Sequence, residues 1–327
     1  MRTRHSLVAL VASVGLTLSG VLLVAGAPGQ AAPTPQISVK VNLVAVPVTV
    51  TDARGGFVSK LTRENFRLLV DDTEQPIEYF SPEEEPAQVL ILLETGPAVY
   101  LLRREHITAA TALLAGLGAD DRVAVASYSD QPQLLLDFTA DKREAADSLT
   151  SAGYALGMTN LNFYASMGSA LDWLAAGDGK RAIVALTTGL DSSGPGAWQQ
   201  LVARMRQSNV MVLPVALGGE LRDTKTRAKK PSDASAPIGE EMSFAESNRA
   251  LEAIAEETGG RAFFPRNARD FQDAYKRIAL LLRHQYSLGF TAPLADGRYH
   301  TIRVEFAGEG GKGYRINSRR GFLAPAQ

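Results

Sequence analysis

The spacing of hydrophobic and polar residues changes twice along this chain. Over residues 37–50, Val39, Val41, Leu43 and Ala45 alternate with Lys40, Asn42 and Val44, then pass into a β-branched run that ends at Val50. That period of two predicts a strand. Thr51-Asp52-Ala53-Arg54-Gly55-Gly56 predicts a turn, Phe57-Val58 the start of a return strand, 67–70 a second strand, Asp71-Asp72 another turn and 77–80 a third strand. Ser81-Pro82-Glu83-Glu84-Glu85-Pro86 then interrupts the pattern. Two prolines and three acids do not fit a packed strand, so a domain boundary falls here.

Residues 89–93 form a short apolar run of the kind buried on both faces of a parallel sheet. A helical pattern follows over 101–117, then a buried strand over 123–128 and an antiparallel edge strand over 134–138. Asp141, with Glu144 three residues on, predicts a helix start, and 153–162 reads as a loop. Helices over 163–176 and 197–207 alternate with strands over 181–187 and 210–217. A helix over 246–258 ends at Gly259-Gly260 and leads to a short strand over 261–264. Phe271, Ala274, Tyr275, Ile278, Leu281 and Leu282 give a last helix a 3.6-residue core stripe. Alternating strands and helices of this kind imply a doubly wound, mostly parallel sheet. After His284 the period of two returns, over 286–291, 299–306 and 314–317, with turns at Asp296-Gly297 and 308–313.

The fold class is therefore α/β: a doubly wound, mostly parallel sheet flanked by N- and C-terminal β segments that form a small β-sandwich-like domain. The expected boundaries are 37–82 and 285–324 for the β segments and 87–284 for the α/β unit inserted between them. Within the insert, 218–242 is rich in Lys, Asp, Ser, Pro and Gly and lacks aromatics, so it reads as a flexible surface insertion. Its basic cluster of Lys225, Arg227, Lys229 and Lys230 reads as solvated.

The N-terminus bears on compartment. Arg2 and Arg4 precede a charge-free stretch over 7–25, and Gly29-Gln30-Ala31 sets small residues on either side of Gln30. This pattern predicts a signal peptide over 1–31, a linker over 32–36 and an exported, envelope-associated protein, periplasmic or extracellular. Left uncleaved, the same stretch would be an N-terminal membrane anchor. With no cysteine in the chain, a lipoprotein, a disulfide and a thiolate site are all excluded. A net charge of −1 gives no basic footprint for nucleic acid.

The strand over 89–93 runs into Glu94-Thr95-Gly96-Pro97-Ala98. An apolar strand followed by a tight polar turn and a helix resembles the opening of a von Willebrand factor A domain, whose pattern there is Asp-x-Ser-x-Ser. The flanks resemble the von Willebrand A-related proteins typical of acidobacterial genomes: a Val-Thr-Asp strand end, Leu61-Thr62-Arg63-Glu64-Asn65-Phe66, Gln285-Tyr286-Ser287-Leu288-Gly289-Phe290 and Arg319-Arg320-Gly321-Phe322. The resemblance implies a metal-ion-dependent adhesion site fed by three loops, and here that pattern is degenerate. Glu94 stands for the Asp, and Gly96 and Ala98 replace both serines. Thr159 matches the second loop, Thr188 stands where the third loop has its metal-side Asp, and Asp191 matches that loop's outer acid. No resident metal or other cofactor is expected. Glu94 alone is expected to cap the following helix, where a carboxylate contributes about 0.3–1 kcal/mol.

These readings imply a non-enzymatic binding or scaffolding protein with a protein partner of unknown identity. The alternative is a Mg²⁺-dependent adhesion domain using Glu94, Thr159 and Asp191 with waters. A hydrolase is a distant third. His5, His106, His284 and His300 are scattered, and no nucleophile elbow, zinc helix or phosphate loop occurs.

Overall fold

The computed structural model describes residues 43–326 except 83–84, 158, 178, 220–243, 293–295, 309–310 and 312. The expected signal peptide, its linker and nearly all of the expected insertion over 218–242, with its basic cluster, lie outside the described residues.

The α/β unit is built on a five-stranded sheet of β5 (Ala87–Glu94), β6 (Arg122–Tyr128), β7 (Pro132–Thr139), β8 (Lys180–Thr187) and β9 (Met211–Ala216), in the order β7-β6-β5-β8-β9. All neighbours are parallel except the β6–β7 pair. The apolar run is the central strand: Val89, Ile91 and Leu93 face one helical layer, Leu90 and Leu92 the other, and all five are buried. The first layer holds α2 (Arg103–Gly116), α3 (Lys142–Thr150) and α7 (Ala268–Arg283). The second holds α4 (Phe163–Ala175), α5 (Ala197–Gln207) and α6 (Phe244–Thr258). Fully burying a Val, Leu or Ile contributes about 1.5–3 kcal/mol, so a strand with no polar face strongly specifies its central place. Among the described residues no helix is long and apolar enough to cross a membrane.

The flanking segments form two four-stranded antiparallel sheets, each using strands from both ends of the chain. One has the order β12-β1-β10-β4, from β1 (Leu43–Thr51), β4 (Tyr79–Ser81), β10 (Tyr286–Thr291) and β12 (Arg315–Ser318). The other has the order β13-β11-β2-β3, from β2 (Phe66–Val70), β3 (Thr73–Gln75), β11 (Tyr299–Phe306) and β13 (Gly321–Leu323). In the β1–β10 register Val44, Val46 and Val48 lie opposite Phe290, Leu288 and Tyr286, and these side chains share one core with Leu68, Ile302 and Phe322. Asp71 and Asp72, at φ 47° and 63°, form the two-residue hairpin between β2 and β3, a conformation that aspartate tolerates better than most residues.

Several boundaries differ from the sequence reading. The expected strand over 77–80 is replaced by the short β3 and β4, and β13 was not expected. The strand over 261–264 reduces to a single bridge between Val215 and Phe263. The helix over 101–117 is split into α1 (Pro97–Tyr100) and α2, and Leu101 at the break is 86% exposed.

Arg319, between β12 and β13, joins the two parts of the fold. It is buried, and among the described residues no carboxylate lies within salt-bridge distance of it. Its guanidinium donates to the carbonyls of Ser208 (2.8 Å), Arg206 (3.0 Å) and Gly321 (2.7 Å) and to Asn209 Oδ1 (3.1 Å). Two of those carbonyls lie at the C-terminal end of α5, where a cation complements the helix dipole. Asn317 Nδ2 donates to the Gly259 carbonyl after α6, and Arg320 pairs with Glu256. Burial pushes the Arg319 pKa down to about 10, so the group stays charged at neutral pH. Arg319→Met would leave several buried carbonyls without donors, each costing about 1–3 kcal/mol. The expected outcome is a fall in urea-unfolding free energy larger than that of Arg320→Met.

His300 closes the sandwich edge. Its Nδ1 lies 2.7 Å from Asp71 Oδ2 and its Nε2 3.1 Å from Asp296 Oδ1, with the ring stacked on Phe322. An imidazole with a carboxylate at each nitrogen donates to both only when protonated. The Asp71 hydrogen bond, helped by Asp296, raises the His300 pKa against the opposing effect of burial, and the Asp71 and Asp296 carboxyls are held below their usual range. The raised histidine value makes its contribution complete below about pH 6.5, lost as pH rises through the folded value. The two carboxylates contribute above their ordinary range near pH 4 and lose that contribution as pH falls through their lower folded values. Unfolding titrations should therefore show stability declining from pH 6 to pH 8 in the native chain and a flatter profile in His300→Gln.

Candidate functional site

At the C-terminal ends of β5, β6 and β8, the open end of a doubly wound sheet where ligands bind, lies Glu94. Its side chain is fully buried. Register sets its partners. Glu94 lies opposite Tyr128 at the end of β6, and β8 on the other side ends at Thr187, next to Thr188. Glu94 Oε2 accepts from the Thr188 N–H at 2.6 Å, and the Thr188 hydroxyl lies 2.9 Å from Oε2 and 3.1 Å from Oε1. Tyr128 Oη and Thr187 Oγ1 lie 3.0 and 3.1 Å from Oε2 and 2.6 Å from each other. Each hydroxyl has one proton, so one donates to the other and the second to Glu94. Thr187 Oγ1 also accepts from the Gly189 N–H at 2.7 Å, and Ser247 Oγ on α6 donates to the Thr188 carbonyl at 2.6 Å.

Burial is the dominant influence on Glu94. It raises the carboxyl pKa, although the bonds from Thr188, Tyr128 and Thr187 favour the ionised form. Burial and the neighbouring Glu94 charge likewise push the Tyr128 phenol well up. The expected capping role for Glu94 is not what the fold uses. The N-cap of α1 is Gly96, without a side-chain cap bond, and the Glu94 carboxyl points across the sheet to Thr188.

Of the other positions implied by the resemblance, Thr188 bonds Glu94, and the rest are placed otherwise. Gly96 is buried, and a Cβ there would lie 2.5 Å from Leu161 Cδ2, so Leu161 covers the side where a serine would project. Ala98 falls within α1. Thr159 is half-buried, with its hydroxyl 3.5 Å from the Asn160 carbonyl. Thr188, read from sequence as a lost carboxylate, is instead the principal partner of Glu94. Asp191 Oδ1 accepts from the Tyr164 N–H in the first turn of α4 (2.8 Å) and from Ser193 Oγ (2.6 Å), and Oδ2 accepts from the Ser193 N–H (2.9 Å). It thus serves as a helix cap supplied from another loop. These groups do not fit a divalent cation: the one buried carboxyl is already supplied with donors, and a hard cation needs converging free oxygens. Among the described residues no three His, Asp or Glu side chains are grouped to hold a metal.

The three loops are joined directly. Thr95 N–H donates to the Tyr128 carbonyl (2.8 Å), Ala155 N–H to the Thr95 carbonyl (2.9 Å), Ser192 N–H to the Leu161 carbonyl (2.8 Å) and Leu161 N–H to Ser192 Oγ (2.8 Å). Tyr128, Thr187, Leu161 and Ser247 were not singled out from sequence. The available signals were the paired hydroxyls of Thr187-Thr188 after an apolar strand and a tyrosine ending another.

Glu94→Gln keeps the shape and removes the ionisable group. Because the folded pKa is raised, the acid contributes its full stability below its ordinary value near 4.5, and that contribution is lost as pH rises through the folded value. Urea unfolding should show the variant gaining on the native chain as pH rises through that value, with no gain below about pH 4.

No protein-family model and no curated protein matches the chain. Solved structures do. An aerotolerance-related membrane protein from Bacteroides fragilis, with multiple mutations to serines, is 19% identical, covers 60% of this chain and 98% of its own, and gives a TM-score of 0.45. A von Willebrand factor type A structure from Catenulispora acidiphila is 10% identical, covers 86% of this chain and 74% of its own, and scores 0.45. The vWF domain of the type V pili tip protein Mfa5 from Porphyromonas gingivalis is 10% identical, covers 60% of this chain and 94% of its own, and scores 0.43. The last two are likenesses to von Willebrand factor type A structures, over 86% and 60% of this chain.

Proposed function

We propose that this chain is an exported, non-enzymatic protein-binding or scaffolding protein whose von Willebrand A-like face is held together without a metal. The observation that carries this reading is the buried Glu94 carboxyl. Its bonds to Thr188, Thr187 and Tyr128 link β5, β6 and β8 where a bridging cation would otherwise be needed. Leu161 over Gly96 excludes water from the same spot. What the face offers a partner is apolar. Leu101 and Leu156 are 86% and 69% exposed, beside the edge-to-face pair of Tyr100 and Tyr154. Exposed aliphatic groups next to aromatics suit recognition by burial rather than by a metal bridge to a partner's acid. Export rests on the N-terminal sequence pattern, and the non-enzymatic reading on the burial of the Glu94 carboxyl and its hydroxyl partners and on a sequence without a nucleophile elbow, zinc helix or phosphate loop.

Thermal unfolding tests the metal-free reading. A ligand at 100 times its Kd adds about 2.7 kcal/mol, a readily visible shift in Tm. Millimolar Mg²⁺ or Mn²⁺ is expected to leave the native Tm unchanged, as is a chelator. Restoring the adhesion pattern with Glu94→Asp, Gly96→Ser, Ala98→Ser and Thr188→Asp should create a Mg²⁺-dependent shift only when Leu161→Ala makes room at Gly96. A Mg²⁺ shift in the native chain that Glu94→Gln abolishes would overturn the proposal in favour of the metal-dependent reading.

A further inference from the structure

The outer face of α7 carries a ridge of cations that the fold does not use. Arg269, Lys276 and Arg283 are exposed and seven residues apart, so they recur every two turns, about 10.5 Å, along one side of the helix. Arg277 lies beside Lys276, and Leu280, 44% exposed, sits between Lys276 and Arg283. Asp273 lies between Arg269 and Lys276, and Asp270, seven residues before Arg277, accepts from the Arg266 N–H and Asn267 Nδ2 at the helix start. Among the described residues none of the four cations lies within salt-bridge distance of a carboxylate. Arg67, Arg204, Arg206, Arg303 and Arg320 all have such partners on other surfaces. The opposite side of α7 is anchored through Phe271, Tyr275, Ile278 and Leu282, all buried, so the ridge stands on a fixed support. The chain as a whole has a net charge of −1, so this is a local concentration of charge.

We propose that the outer face of α7 is a docking surface for an acidic helical segment of a partner protein. A helix laid along α7 with carboxylates at two-turn spacing would set them against Arg269, Lys276 and Arg283, as charges flank the seam of paired helices, and Leu280 would supply an apolar contact between them. A protein segment is favoured over a lipid surface because the apolar stripe of α7 is already committed to the core and Leu280 alone would remain to enter a bilayer. Charge of this kind raises the association rate and selects the partner, and its effect falls with salt. The surface is separate from the Glu94 face, and the inference does not rest on the proposal made for that face.

Binding of a fluorescent synthetic helix, with glutamates at seven-residue spacing among leucines, to the full chain tests this by anisotropy. Binding is expected to weaken steeply with added NaCl and to be absent for the same peptide with lysines in place of the glutamates. Lys276→Glu with Arg277→Glu is expected to weaken binding by on the order of tenfold or more at unchanged Tm. If that pair unfolds the protein, Lys276→Gln with Arg277→Gln should still weaken binding and flatten its salt dependence. Absence of peptide binding, binding indifferent to these substitutions, or capture by phosphatidylglycerol vesicles without peptide binding would each overturn the proposal.

Discussion

A carboxyl group without access to water is costly unless its oxygens are supplied with donors. Glu94 meets that requirement at the centre of the sheet's open end, and much of the local geometry follows from it. Tyr128 and Thr187 must end their strands level with Glu94. The Thr188 N–H must turn inward, which is aided by Gly189 at φ 68°, and Ser247 on α6 must hold the Thr188 carbonyl. Thr95, next to Glu94, begins the segment that leads to Leu101, and its carbonyl accepts from the Ala155 N–H in the loop that bears Leu156. The acid thus organises the face from below without taking part in it.

On the metal-free reading proposed above, the carboxyl does the work of a bridging cation. A divalent ion draws loops together because it attracts oxygens from several of them. A buried carboxyl does so by accepting hydrogen bonds from several of them. The lengthening from Asp to Glu adds the methylene that lets the carboxyl leave the strand end and reach Thr188. Leu161 Cδ2 lies where a Cβ at Gly96 would project.

Much of the fold was legible in the sequence because its signals are local. The five-residue apolar run over 89–93, the alternation over 43–50 and the core stripe of α7 each specify an element and a face within a few residues. The short strands β3, β4 and β13 have no such period, and their pairing is set by partners far along the chain. The site was half legible. Glu94, Thr159, Thr188 and Asp191 could be placed by pattern. What they do could not, because the Tyr128 bond spans 34 residues and the Thr188 bond 94, and strand register decides both. Asp191 illustrates the difference: an acid at an adhesion-site position is occupied in capping α4.

The sandwich has a consequence for how the chain comes to be folded. Its sheets pair β1 with β10 and β2 with β11, so residues 43–70 and 286–306 complete each other across the whole α/β unit. During synthesis the valines of β1 and the leucines of β2 emerge long before Tyr286, Leu288 or Ile302 exists to cover them. The α/β unit, with its short-range βα contacts, can gather first, and by bringing residues 87 and 283 to one end it shortens the loop that the terminal strands must close. A chain halted before β10 would expose two unpaired apolar strands, the condition that favours capture by a chaperone or by another such chain. The topology thus leaves β1 and β2 without their long-range partners until β10 and β11 are made.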